Sequence, residues 1–182
     1  MNTTEIRRIL HTAINKQMTT DVFACDQLQS LKSEKFAVIV NSDTSDEPGT
    51  HWLALFKESG DTVEFFDSYA MSIEFYNTNI LNFVSTKCKF LRQSEIQIQS
   101  DFSSVCGQFC IFYLVSRANG LNFNDILNEF SEINLSKNNE KVSRFVRDNF
   151  GLDSSTACAN ERNIFLQDLI VQCSKIFIKS LV

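Results

Sequence analysis

The stretch "IQSDFSSVCGQFCIFYLV", residues 98–115, is polar up to Cys106-Gly107 and then apolar for most of two helical turns. It predicts a buried helix over about 106–119 that begins at a thiol. A Cys in a first helical turn sits among unpaired N–H groups, at the positive end of the helix dipole. There its pKa can drop from about 8.5 into the ~3.5–7.5 range, more so beside a protonated His. Gly is a poor helix former, and Gly107 has no punctuating role, unlike Gly120 and Gly151, which follow helical runs. Its expected use is close approach by another chain, with an N–H that joins that of Cys106 in meeting an oxyanion. A free Cys is also often just a small buried hydrophobe. That is the expected role of Cys110, Cys25 and Cys173; for Cys106 both readings stand.

Upstream, "FAVIVN" (36–41), "HWLALFK" (51–57) and "TVEFFDS" (62–68) read as strands, rich in aromatic and β-branched residues. "EIQIQ" (95–99) alternates like a fourth, shorter one. Residues 4–17 set Ile6, Ile9, Leu10, Ala13 and Ile14 on one stripe of an amphipathic helix. Further helices are expected at 73–86, 123–131, 138–150 and 160–179. Helices and strands are partly segregated, which favours an α+β fold: a central mixed or antiparallel sheet flanked by helices. One domain over 1–182 is expected, with 151–182 as a C-terminal helical extension.

Strands 51–57 and 61–67 can form a hairpin. A Glu58-Ser59-Gly60 loop puts Gly60 in the left-handed position of a G1-bulge turn. That register pairs Lys57 with Asp61, Leu55 with Val63, Leu53 with Phe65 and His51 with Asp67. It gathers Leu53, Leu55, Val63 and Phe65 on one face, whereas a slip by one residue would set Leu55 against Glu64. Opposed side chains stand roughly 5 Å apart at Cβ, so His51 and Asp67 are within reach of a hydrogen bond. A strand-end His beside a solvated Asp fits the same pattern. Added to Cys106, the pair completes what thiol catalysis needs: nucleophile, base and orienter.

Composition narrows the alternatives. A chain of 182 residues, 43% hydrophobic, can bury a real core, and seventeen Phe against one Trp and three Tyr predict a dense one. Net charge −5 argues against a general nucleic-acid or anionic-membrane binder. The apolar runs are too short to span a bilayer, and residues 1–16 lack the apolar stretch of a signal peptide. A soluble, intracellular protein is expected. Six Cys include no C-x-x-C pair, and His11 and His51 are the only His, so neither a disulfide framework nor a zinc site is expected. No cofactor or metal is called for.

The order His-Trp, Asp, Gln, Cys-Gly resembles the adenovirus endopeptidase (adenain) family and, more distantly, SUMO-specific proteases. "VIVNSDTSDEPGTHWLALF" is similar to that family's strand, loop and His-Trp strand, and "FFDSYA" to its acidic segment. "QSDFSSVCGQFCIFYL" is similar to its Gln-x6-Cys-Gly helix start, and "NEKVSRFVRDNF" to the adenoviral C-terminal helix. The likeness runs over roughly 20–150. It implies an adenain-like fold with Cys106 as nucleophile, His51 as general base, Asp67 as its orienter and Gln99 as an oxyanion donor. Taken alone, Gln99 reads as a surface strand residue. Trp52 and Gly107 are expected to border the substrate, although Trp52 can equally be core packing.

The same resemblance implies a cysteine endopeptidase that cleaves capsid or other virion precursors, at the assembly site of an infected cell and inside the virion. Such relatives occur in adenoviruses, virophages and virus-like transposons. An isopeptidase for SUMO- or ubiquitin-like modifiers is the alternative enzyme, and a catalytically silent capsid-binding module the alternative of another class. A monomer is expected, with no membrane partner and no strong DNA partner. Cys88, 18 residues before Cys106, matches a family Cys that captures an activating peptide through a disulfide. Lys87 and Lys89 on either side favour its thiolate and hence exchange. A partly buried residue at a helix-to-strand junction is the other reading of Cys88.

Overall fold

The computed structural model describes residues 1–14 and 17–151. In chain order they form α1 (Thr3–Ala13), β1 (Thr19–Ala24), β2 (Phe36–Asn41), β3 (Trp52–Lys57), β4 (Thr62–Phe66), α2 (Thr78–Lys87), β5 (Phe90–Gln93), α3 (Cys106–Ala118), α4 (Phe123–Asn128) and α5 (Leu135–Phe150). The strands make one sheet in the order β1-β2-β3-β4-β5. Its inner pairs β2–β3 and β3–β4 are antiparallel, and its outer pairs β1–β2 and β4–β5 are parallel. The fold is α+β with a mixed sheet flanked by helices. The expected helix at 160–179, and all but the first residue of the proposed extension 151–182, lie outside the described residues.

Both faces of the sheet are covered, which is why β2 and β3 are near-continuous apolar runs. Ala37, Ile39, Ala54, Phe56 and Phe66 point to one face, where they pack with α1, α3, α4 and α5. Phe36, Val38, Val40, Leu53, Leu55, Val63 and Phe65 point to the other, under α2 and the turn Cys25–Ser30. Each Leu or Phe buried this way stabilises by roughly 1.5–3 kcal/mol. α3 runs through the first of these layers and is buried over most of its length. Packing therefore holds its first turn in place against β3.

The structure corrects three expectations. The β3–β4 register is Ala54 with Phe66, Leu55 with Phe65 and Phe56 with Glu64, two residues away from the expected pairing. Gly60 is left-handed at φ +70° as expected, but this register centres the turn on it rather than on Ser59. Side chains alternate with period two, so both registers present the same faces, and hydrophobic pattern cannot separate them. Residues 95–99 are no strand: the Ile98 and Gln99 N–H groups both donate to Ser68 O, at 3.0 and 3.1 Å, and both side chains are buried. The edge strand is instead β5. Finally, the helix expected at 73–86 is divided, because Asn77 caps a new start with its side chain on the Asn79 N–H at 3.0 Å.

Candidate active site

Cys106 is the first residue of α3, and Val105 before it supplies no side-chain cap. The uncapped N–H groups of the first turn are thus left for the thiol and for whatever binds beside it. Cys106 is 8% exposed. Burial raises its pKa, but His51 outweighs that through a side-chain hydrogen bond and its charge, aided by the Trp52 and Gly107 N–H groups, so the net shift is downward. Gly107 is helical without positive φ, so what matters is its missing Cβ, which would meet Trp52 Cδ1 at 3.3 Å and Ile6 Cδ1 at 3.4 Å. The close approach comes from the protein's own Trp52 and α1.

His51 directly precedes β3 and Asp67 directly follows β4, at adjacent strand ends. His51 Nε2 lies 2.7 Å from Asp67 Oδ1, which leaves Nδ1 as the ring nitrogen for the thiol. Burial disfavours the charged ring, yet the hydrogen bonds to Asp67 and Cys106 and their negative charges win, and the His51 pKa is raised to about 9. A raised His beside a lowered Cys moves the pair towards thiolate and imidazolium.

Asp67 is 0% exposed and its carboxylate is saturated. Oδ1 also accepts from the Tyr69 N–H at 3.1 Å, and Oδ2 from the Met71 N–H at 2.9 Å and Tyr76 Oη at 2.7 Å. Burial works against the carboxylate, and these donors with His51 overcome it, holding Asp67 below the usual carboxylate range. The turn that wraps it places Ala70 at φ 57°, a left-handed conformation that costs a non-Gly residue of order 1–2 kcal/mol. The His51 ring lies between two tyrosines, its centroid 5.1 Å from Tyr69 and 6.0 Å from Tyr76.

Gln99 is placed differently from the other three. It is 0% exposed. Its Oε1 accepts from Ser68 Oγ at 2.6 Å, and its Nε2 donates to Tyr69 Oη and to Ser103 O, both at 3.0 Å. The cleft of about 870 Å³ beside Cys106 is walled by His51, Trp52, Tyr69, Ser103 and Phe75 but not by Gln99. Trp52 lines this cleft and also packs against the core. Cys110 is a buried residue, its thiol donating to Trp52 O at 3.3 Å and its pKa pushed well up by burial.

Cys88 packs against the opposite face of the sheet from α3, where it caps the end of α2 and donates from Sγ to Val84 O at 3.4 Å. The neighbouring ammonium groups are engaged elsewhere, Lys87 with Glu34 at 3.0 Å and Lys89 with Asp61 at 2.8 Å. Tyr69, Tyr76, Ser68 and Ser103 were not singled out by sequence. The signal available was the rarity of Tyr beside seventeen Phe: a hydroxyl is carried only where a buried partner waits. Tyr113 fits the same rule, with its Oη 2.6 Å from Glu64 Oε2.

Among the described residues, no cluster of three His, Cys, Asp or Glu is placed to hold a metal ion, and no helix is long and apolar enough to cross a membrane. A buried Cys beside a carboxylate-held His, both opening on one cleft, is an arrangement of the cysteine peptidases. The particular family follows from residues 21–150, which match the adenovirus endoprotease family model over well more than half of the chain. The chain belongs to that family. Among solved structures it is similar to the ASFV pS273R protease, at 15% identity and TM-score 0.44, covering 76% of this chain and 66% of that one. No curated protein is a significant sequence match.

Proposed function

We propose that this chain is a viral maturation endopeptidase that cleaves capsid or other virion precursor proteins, acting at the assembly site and within the particle. One observation carries the reading: the Cys106 thiol at the start of a buried helix opens on the same cleft as His51, which the fully buried Asp67 holds at 2.7 Å. Family membership supports the protein substrate class. In this reading the Cys106 thiolate adds to the scissile carbonyl carbon, and the carbonyl electrons move to oxygen. The Cys106 N–H and the Gln99 amide receive that oxyanion. His51 passes its proton to the leaving amine as the C–N bond breaks, which leaves a thioester on Cys106. Neutral His51 then takes a proton from water as the hydroxide adds, and collapse releases the acid and restores the ion pair. Asp67 keeps the imidazole oriented and its charged form stable.

The test is incubation with candidate capsid precursors and mapping of new N-termini, alongside ubiquitin-like conjugates. New termini within the precursors are expected. Release of modifiers with intact precursors would move the assignment to a deconjugase.

Cleavage should follow a bell-shaped pH profile. Its basic limb lies near the raised His51 value of about 9, where the imidazolium proton needed by the leaving amine is lost. Its acid limb lies below the ordinary thiol value, where the lowered Cys106 takes up a proton. Iodoacetamide labelling of Cys106 should share the acid limb. A labelling midpoint at an ordinary thiol value would rule out the ion pair.

DNA is not proposed as a strong partner, since 17 Lys and Arg face 22 Asp and Glu. Added DNA should stimulate cleavage weakly or not at all. A steep salt-dependent DNA affinity would reveal a local basic patch that outweighs the net charge. Cys88 remains the proposed attachment point for a Cys-bearing activating peptide. Wild type and Cys88→Ser, each with and without reductant, should differ only for oxidised wild type. Equal activity in all four conditions, with no peptide adduct on Cys88 by mass spectrometry, removes that role.

A further inference from the structure

The Gln99 amide is fully committed in the resting protein. A primary amide has two N–H bonds to give, and here one goes to Tyr69 Oη and the other to Ser103 O, each at 3.0 Å. The orientation is unambiguous, because the Ser103 carbonyl can only accept, so the atom facing it must be the nitrogen. Ser68 Oγ pins the amide oxygen at 2.6 Å from a side chain that is itself 0% exposed. The amide therefore has no N–H left for a substrate oxyanion, and it sits behind the cleft wall that Tyr69 and Ser103 form.

One of the two partners has to let go, and the surroundings decide which. Tyr69 is held at three points: its N–H on Asp67 at 3.1 Å, its ring against His51 at 5.1 Å, and its hydroxyl, 3.3 Å from Ser103 O, which it donates to. Ser103 lies outside helix and strand in the segment joining Gln99 to α3, directly after the fully exposed Phe102. We propose that Tyr69 is a positioning residue for oxyanion stabilisation: its hydroxyl keeps one Gln99 N–H in place and stands in for Gln99 at the Ser103 carbonyl, which frees the second N–H for the substrate. The exchange leaves no buried carbonyl without a donor, which is what makes it feasible. Burial and the charges of Cys106, Asp101 and Asp67 raise the Tyr69 pKa, so the hydroxyl keeps its proton beside the thiolate.

This inference rests on the reading of Gln99 as an oxyanion donor, and two probes separate them. Acyl transfer from p-nitrophenyl acetate to Cys106 passes through a tetrahedral oxyanion; alkylation by iodoacetamide is a displacement at carbon that forms none. Tyr69→Phe should slow acyl transfer about tenfold, while alkylation and its pH profile stay within about twofold, because the ring on His51 is kept. Gln99→Ala should slow acyl transfer by about 10²–10³-fold. The double variant should be no slower than Gln99→Ala, since Tyr69 acts only through the amide. Normal acyl transfer in Tyr69→Phe with a slow Gln99→Ala overturns the Tyr69 role alone. Normal acyl transfer in Gln99→Ala overturns both. Equal slowing of both probes in Tyr69→Phe places the effect on the His51–Asp67 side and overturns the proposal.

Discussion

Cys106→Ala should abolish precursor cleavage, by a factor of about 10⁴ or more, with a thermal transition as cooperative as that of the wild type. No other group in the cleft can replace the thiol. Cys110 lies a turn deeper, donates to Trp52 O, and is held protonated by burial. The Ser103 hydroxyl donates to Ser100 O at 2.9 Å. His51→Ala should be comparably severe, because Cys106 then keeps the burial that raises its pKa and loses the partner that lowers it. Its alkylation at neutral pH should fall in step with cleavage. Turnover near the wild-type rate in purified Cys106→Ala would end the peptidase assignment.

Asp67→Asn should cost less activity, about 10²–10³-fold, and it should also cost stability. Four donors converge on the two carboxylate oxygens. An amide offers one oxygen and turns an NH₂ group towards donors on the other side, so buried donors lose their partners at roughly 1–3 kcal/mol each. Without the carboxylate, the His51 pKa should drop from about 9 towards the ordinary value of 6.5, carrying the basic limb of cleavage down with it. The sign of the stability effect follows from the same shift. A raised His pKa contributes stability that is full below about 6.5 and disappears as pH rises through about 9. Asp67, with its pKa lowered, contributes stability that is lost as acid protonates it. Denaturation across pH should therefore show the largest gap between wild type and variant in the mildly acidic range, narrowing above about 9. A constant gap would mean that Asp67 acts through packing alone.

The helices were legible where sequence carries its own boundary chemistry. The α3 start at Cys106 was read directly from the change from polar to apolar, and the α5 stop from a Gly after the helical run, which the structure sets in the left-handed region at φ 57°. β1 was missed because only Val22 of its six residues is buried, so "TTDVFA" carries almost no alternation to detect. "EIQIQ" alternates well and still is no strand, since its backbone N–H groups converge on one carbonyl of the Asp67–Met71 turn instead of joining a ladder.

Local chemistry written in order along the chain was enough to determine the thiol at a helix start, the two-faced strands, and the nearness of His51 to Asp67. Each depends on contacts between near neighbours or on period, and both survive a register error of two residues. Three things were decided only by tertiary packing. The hairpin register depends on which rings meet across the sheet, and periodicity cannot rank registers two apart. The state of the Gln99 amide depends on Ser68, Tyr69 and Ser103, which lie up to 31 residues away along the chain in the case of Ser68. The charge on the Cys106–His51 pair depends on how far burial, which opposes both ions, is outweighed by donors from β3, the Asp67 turn and the first turn of α3. Sequence names those donors, and only the folded chain aims them at the same few atoms.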